Sequence, residues 1–392
     1  MAVQAQRETS LLSYPLSRYL NSKLFPPLGH VDLIITEDCN CRCSYCFVEG
    51  KKPRSMDAAT ADRSIDFLLD HCGKLKSVNV LFFGGEPLLE FDLIQHIISY
   101  CEKKQPETGK KITFSMTTNG TLLTPEMLAY FNKKGVKFLL SLDGDKETND
   151  KYRRTKDGES AFDLVIEKLP MFKYYQPWQG TCLTPMPDTV ERLVDNTLFL
   201  YKKGINQFII GPATGIRWTM SDCDAYERSL IDLCKVYLEK KAKREPFRMT
   251  LFETDLDKET SYKGMWGCGA GRGRFSITPV GEIQGCAKIQ GANKLDGFWS
   301  FGNIWDGISE LENRAMLARN NARKRTKCLK CEFADECSGG CPAVNYVETG
   351  DPFKPSAHHC RFVRITRRVR EFLLSRTEVS REQGEPETPA VL

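Results

Sequence analysis

The sequence predicts an α/β protein: a partial (β/α)6 barrel over about residues 25–245, followed by a loop-rich, cysteine-rich region over about 246–376. Three observations carry this. From Val31 to Phe208 short apolar runs alternate with amphipathic stretches, the pattern of a parallel sheet wrapped by helices. The rhythm stops after a long helical stretch at about 221–241. Beyond it lie seven of the chain's 16 cysteines.

The strands are expected at 31–36, 78–83, 112–117, 136–141, 179–184 and 206–211. Between them, Ile65, Leu68, Leu69 and Cys72 recur at helical spacing, which makes Cys72 a core residue. Thr124-Pro125 opens a helix that Gly135 can close. In the long helix Tyr226, Leu230, Leu233 and Tyr237 form one stripe, and a domain boundary is placed near 245. After it, GCGAGRGRF at 267–275 and SGGCPAV at 338–344 read as loops, too poor in apolar runs to bury a large core without metal staples. Residues 1–24 read as an N-terminal extension, and the polar, Pro-containing stretch 377–392 as a disordered tail.

Composition excludes several classes. The chain has 392 residues, 41% of them apolar and 27% charged, with no apolar run of the roughly 20 residues a membrane helix needs. A net charge of +5 is too mild to imply nucleic acid by itself. The N-terminus lacks the basic start and apolar core of a secretory signal, so a cytoplasmic location is expected. There thiols stay reduced, and dense cysteine usage points to metal rather than disulfides. With only five histidines, that metal is held mainly by thiolate, favouring iron–sulfur clusters or all-thiolate zinc.

Cys39, Cys43 and Cys46 give C-x3-C-x2-C directly after the first strand. Three thiolates can ligate three irons of a 4Fe-4S cluster and leave the fourth open; zinc on Cys39, Cys41, Cys43 and Cys46 is the alternative. After the next three strands come Gly84-Gly85-Glu86-Pro87, Thr117-Thr118-Asn119-Gly120 and Ser141-Leu142-Asp143-Gly144. Glycines there let a ligand approach the backbone, and Glu86 could accept from an amine. Three polar tetrapeptides in register on one face of a barrel are hard to explain as loops alone.

CNCRCSYCF, GGEP, TTNG and SLDG in this order resemble the radical S-adenosylmethionine (SAM) superfamily, whose fold is a TIM-like barrel. The resemblance implies a 4Fe-4S cluster on Cys39, Cys43 and Cys46 that chelates SAM and cleaves it reductively to a 5'-deoxyadenosyl radical. It implies SAM contacts from Tyr45 (adenine), Gly84, Gly85 and Glu86 (methionine amine), Asn119, Ser141 (ribose) and Arg153 (carboxylate), with Arg154 as the alternative to Arg153. Cys41 is outside the motif and reads as a bystander.

Cys328, Cys331, Cys337 and Cys341 give C-x2-C-x5-C-x3-C, a spacing expected by chance about 0.001 times in such a chain. Cys268, Cys286 and Cys360 bring the set to seven, more than one zinc can use. The set resembles the SPASM extension of radical SAM enzymes that act mostly on peptides. That resemblance implies one auxiliary 4Fe-4S cluster on Cys268, Cys286 and Cys341 and another on Cys328, Cys331, Cys337 and Cys360, three clusters in all. Relatives often carry an eighth cysteine before the position of Cys268. Residues 251–267 contain none, so the first auxiliary cluster is expected to have an open iron unless Cys182, Cys223 or Cys234 fills it; helical placing makes Cys223 and Cys234 core residues.

CGAGRG, SGGCPA and FGNIWDG are most similar to thioether-forming peptide maturases. The implied partners are a precursor peptide and an external electron donor such as flavodoxin or ferredoxin. Formylglycine formation, as in anaerobic sulfatase maturases, is the nearest competitor, but the position of its usual aspartate is Ala287. Carbon–carbon crosslinking stays open. RNA modification and a non-enzymatic zinc module are the readings from other classes; net +5 argues against the first, and GGEP and SLDG against the second. Residues 314–330 carry seven Lys or Arg and no acid, and five arginines follow Cys360 within ten residues. They read either as a surface for an acidic peptide or as a solvated helix face. The 30 or so residues before the first strand leave no room for a fused leader-binding domain.

Overall fold

The computed structural model describes residues 14–48, 52–253, 269–289, 297–318, 327–334, 337 and 339–382. All the strands among them join one sheet. They are β1 (His30–Thr36), β2 (Ser77–Gly84), β3 (Lys111–Thr118), β4 (Lys137–Ser141), β5 (Gly180–Leu183), β6 (Gln207–Ile210), β7 (Arg248–Met249), β8 (Arg274–Ile277), β9 (Glu282–Gln284), β10 (Ser300–Asn303) and β11 (Gly307–Ile308). The order is β11-β10-β9-β8-β1-β2-β3-β4-β5-β6-β7. Pairing is parallel from β8 through β7 and antiparallel from β8 to β11.

The helices are α1 (Tyr14–Leu24), α2 (Ala58–His71), α3 (Phe91–Thr108), α4 (Pro125–Lys134), α5 (Lys146–Tyr152), α6 (Ala161–Ile166), α7 (Leu169–Tyr175), α8 (Leu193–Lys202), α9 (Met220–Ala242), α10 (Thr250–Glu253), α11 (Leu311–Ala318), α12 (Pro342–Thr349) and α13 (Ala357–Glu382). Their ends follow local chemistry. Asp57 caps α2 by accepting from Thr60 N–H, Thr124 caps α4, Gly135 ends it at φ +68°, and Thr219 with Asp222 forms a capping box on α9.

Alternation along the strands sets two faces. Val80, Phe82, Phe114, Met116, Phe138 and Leu140 are buried, Phe138 edge-on to Phe172 of α7. Leu81, Phe83, Thr117, Leu139 and Ser141 alternate with them and are only half-buried, lining the hollow of the sheet. The parallel sheet wrapped by helices is the TIM-like fold expected.

Several expectations change. A seventh parallel strand, β7, pairs with β6 beyond residue 245. The cysteine-rich region is not a coreless loop: Phe275, Ile277, Ile283, Trp299, Phe301 and Ile308 are fully buried in the same core as the barrel, because β8 adds to β1 and β9–β11 extend that sheet. The tail does not begin at 377. α13 runs on to Glu382; packed against α9, it extends at the cost of one residue's order per added bond.

Asp32 on β1 fixes this junction. It is 2% exposed and accepts from Arg274 Nε at 3.0 Å and Nη2 at 2.7 Å, with His30 Nε2 at 2.8 Å. Arg274 is half-exposed and can be hydrated alone, whereas Asp32 cannot. Arg274→Ala is therefore expected to cost about 3 kcal/mol, and Asp32→Ala less. Urea midpoints of the two variants check the order.

Candidate active site at the barrel mouth

The loop after β1 carries the first cysteines. Cys39 and Cys41 are buried, at 6% and 1% exposure, and Cys43 and Cys46 half-buried. The Cys46 N–H donates to the Cys43 carbonyl at 3.1 Å, and Arg42 donates to the carbonyls of Cys39 and Cys41. Hydrogen bonding to Cys39 and burial push the Cys41 thiol well up.

The GGEP segment packs backbone to backbone against this loop. Gly85 N–H donates to Thr36 O at 2.9 Å and Glu86 N–H to Asp38 O at 2.8 Å. A Cβ on Gly84 would stand 2.1 Å from Thr36 O, and one on Gly85 1.9 Å from Asp38 O. Glycine is needed here so that two loops of the protein can touch, a reason the sequence reading did not see.

Glu86 is 1% exposed. Its carboxylate accepts from Thr118 Oγ1 at 2.7 Å, Asn119 N–H at 2.8 Å and Leu88 N–H at 3.2 Å. The side chain expected to meet an amine braces the ends of β2 and β3. Burial raises its pKa to about 7, against these three bonds, which lower it. A carboxyl raised in the folded state binds more protons there than unfolded between about pH 4.5 and 7, so stability falls as pH rises through that window. The loss is about 3 kcal/mol. In Glu86→Gln apoprotein the urea midpoint should lose this slope.

Asn119 also turns inward. Its Nδ2 donates to Asn40 Oδ1 at 2.8 Å and lies 4.0 Å from Cys39 Sγ, while its Oδ1 accepts from Thr121. It holds the cysteine loop.

Tyr45, Asp143 and Arg153 form the opposite wall. The Tyr45 hydroxyl donates to Asp143 Oδ2, which also accepts from Arg153 Nε at 2.8 Å; the pair is 4% and 11% exposed. Arg153 lies over the Tyr45 ring, 5.1 Å from its centroid, with Nη1 3.9 Å from Cys43 Sγ. Arg154 points away, to Gly158 O, so of the two candidates Arg153 is the one beside Tyr45 and Cys43. Asp143, part of the SLDG motif but given no role from sequence, is its central acceptor. Ser141 ends β4, half-buried, and its hydroxyl makes no hydrogen bond among the described residues. In register beside it is Cys182 on β5, whose thiol burial raises to about 11. Cys223 and Cys234 are fully buried in α9.

The second cysteine set is partly assembled. Cys331 N–H donates to Cys328 O at 3.0 Å, Gly339 N–H points at Cys337 Sγ at 3.3 Å, and Cys360 lies in the first turn of α13. Burial and the charges of Cys337, Cys328 and Cys331 push the Cys360 thiol up to about 11, and Arg364, one turn further along α13, places Nη2 3.9 Å from Cys331 Sγ. Cys286 follows β9 and Cys341 caps α12; Cys268 lies outside the described residues. Among the described residues no three His, Cys, Asp or Glu side chains converge as a single ion requires. Thiolates of a cubane bind different irons and need not converge on a point. An all-thiolate donor set without carboxylate or imidazole suits such a group.

The basic stretches are less available than their sequence suggests. Arg314 is 2% exposed, donating to Gly271 O and Arg272 O. Arg368 pairs with Glu227 of α9, and Arg370 is buried against Leu251 O. Residues 319–326 lie outside the described residues.

Parallel strands whose following loops converge on one end are the architecture of barrel enzymes, which place their chemistry at that end. Residues 33–178 match the Radical SAM superfamily, and the protein is an enzyme. It is 24% identical over 331 residues to the radical SAM cyclopropyl synthase TigE of Paramaledivibacter caminithermalis, covering 79% of this chain and 67% of TigE. To the mycofactocin maturase MftC of Mycolicibacterium smegmatis it is 25% identical, covering 83% of this chain and 81% of that one. In fold it is similar to anSMEcpe, solved with AdoMet and the Kp18Cys peptide, with a TM-score of 0.74 at 20% identity over 89% of this chain and 99% of that one. No helix among the described residues is long and apolar enough to cross a membrane.

Proposed function

We propose that this enzyme matures a ribosomally made precursor peptide, joining a cysteine sulfur to a carbon of that peptide as a thioether. The observation that supports this reading is the second cysteine set, in which the Cys331 N–H donates to the Cys328 carbonyl and Arg364, one turn on from Cys360, lies beside Cys331 Sγ. Cys268, Cys286 and Cys341 then form a group one ligand short, in a SPASM domain spanning about 246–376. When bound, the three clusters and SAM supply an electron, a 5'-deoxyadenosyl radical and an open iron for the substrate thiolate.

The chain's own residues hold and orient. Cys39, Cys43 and Cys46 bind the first cluster; Gly84 and Gly85 offer backbone to the methionine amine, and Arg153, held by Asp143, meets its carboxylate. Tyr45 packs at the adenine, and the Ser141 hydroxyl serves the ribose. Glu86 and Asn119 support from behind instead of touching SAM. Reduced thiols suit a reducing compartment, which supports a cytoplasmic location with a flavodoxin- or ferredoxin-type donor.

Likeness to a cyclopropyl synthase favours a second reading, carbon–carbon bond formation. Formylglycine chemistry is disfavoured by Ala287 after Cys286. Mass spectrometry of a cysteine-containing peptide encoded beside the gene separates the readings. A thioether product is lighter by two hydrogens and no longer alkylated by iodoacetamide. A product equally light but still alkylated would overturn the thioether assignment.

A further inference from the structure

We infer that the buried guanidinium of Arg314 is the counter-charge of the cluster at Cys286 and favours its reduced state; this rests on the reading that Cys286 holds a cluster. Arg314 of α11 is 2% exposed. Each of its three guanidinium nitrogens donates to a neutral oxygen: Nε to Gly271 O at 2.9 Å, Nη2 to Arg272 O at 3.0 Å and Nη1 to Asn21 Oδ1. The ring centroids of Phe25 and Phe275 lie 3.9 and 4.7 Å from its central carbon. Among the described residues no carboxylate pairs with it, whereas Arg153 faces Asp143 and Arg274 faces Asp32. Burial lowers its pKa to about 9, so the charge is kept at neutral pH.

A buried cation answered only by neutral groups is costly to desolvate, and a bound anion offsets that cost. The packing of α11 says where such an anion would sit. A Cβ on Gly285 would stand 2.8 Å from Leu317 Cδ2; Gly285 precedes Cys286, and Leu317 lies one turn on from Arg314. Cys286 is half-buried and packs against the same core as Leu317 and Phe275. An iron–sulfur centre on thiolates is anionic, and net charge is one of the quantities that set its potential. Reduction by one electron adds a negative charge and makes or breaks no bond. A fixed positive charge inside the core is screened far less than one at the surface, so Arg314 stabilises the reduced cluster over the oxidised one and raises its potential.

The test is a redox titration of the full reconstituted chain followed by EPR, in which the signal missing from Cys286→Ala protein identifies the cluster. Asn21→Asp sets a carboxylate against Nη1 and cancels the charge while Arg314 keeps its acceptors. Arg314→Met removes the charge and the clamp on Gly271 and Arg272 together. In both variants the reduced-to-oxidised ratio of that cluster at a fixed potential should fall about tenfold, a shift of about 59 mV for one electron. The midpoint of the cluster on Cys39, Cys43 and Cys46 should stay where it is. If Arg314 serves only as a clamp, Asn21→Asp leaves the midpoint unchanged, and that result in iron-replete protein would overturn the counter-charge. Should Asn21→Asp fail to fold, an unchanged midpoint in iron-replete Arg314→Met overturns it equally. A wild-type chain that takes up iron only at the first site would instead sink the cluster reading beneath it.

Discussion

Cys43→Ala protein is expected to lose about four irons per chain and to cleave SAM at least on the order of a thousandfold more slowly, about 4 kcal/mol in the barrier. The expectation rests on placement as well as motif. Cys43 is half-buried on the loop after β1, facing Arg153, where a bound group could meet both. Cys41, two residues away, is 1% exposed and packed beside Cys39. Cys41→Ala should therefore keep its iron and most of its activity. Iron content and anaerobic assay of 5'-deoxyadenosine on the pair separate a ligand from a packing role. Similar losses in both variants would make Cys41 a ligand as well.

Arg153→Ala is expected to act twice. It leaves Asp143, 4% exposed, without its cation, and removing one partner of a buried pair costs about 3 kcal/mol or more. It also removes the cation proposed to meet the SAM carboxylate, so SAM affinity should fall at least about tenfold. Arg153→Lys should rescue little. A point ammonium cannot lie across the Tyr45 ring while donating to Asp143 as the planar guanidinium does. Arg154→Ala, whose side chain reaches only Gly158 O among the described residues, should bind SAM within about twofold of wild type. Calorimetric SAM titration with urea unfolding of each variant tests both effects. A SAM affinity unchanged in a folded Arg153→Ala protein would return Arg153 to a purely structural role.

What the sequence disclosed follows from what is local. β1 to β4 were legible because short apolar runs such as VDLIIT and VNVLFF stand between amphipathic stretches, α4 because its caps lie in adjacent residues, and α9 because its apolar stripe is local. The motif loops at the mouth were equally visible. Their division of labour was not: that Gly85 serves a backbone contact with Asp38, or that Glu86 and Asn119 face inward, depends on which loops meet. β8 pairs with β1 across more than 240 residues, a contact that composition cannot signal. Its hairpin with β9 did leave a trace in Thr278-Pro279-Val280-Gly281, a turn between two apolar runs. Arg314 was hidden for the opposite reason. In a run of basic residues it looks like surface, yet backbone carbonyls and the rings of Phe25 and Phe275 receive it inside.

Iron, sulfide and zinc per chain after anaerobic reconstitution test the central claim most directly. Three clusters on the ten named cysteines predict about twelve irons and twelve sulfides with no zinc. About four irons accompanied by zinc would contradict it, leaving a radical SAM enzyme whose C-terminal cysteines are structural.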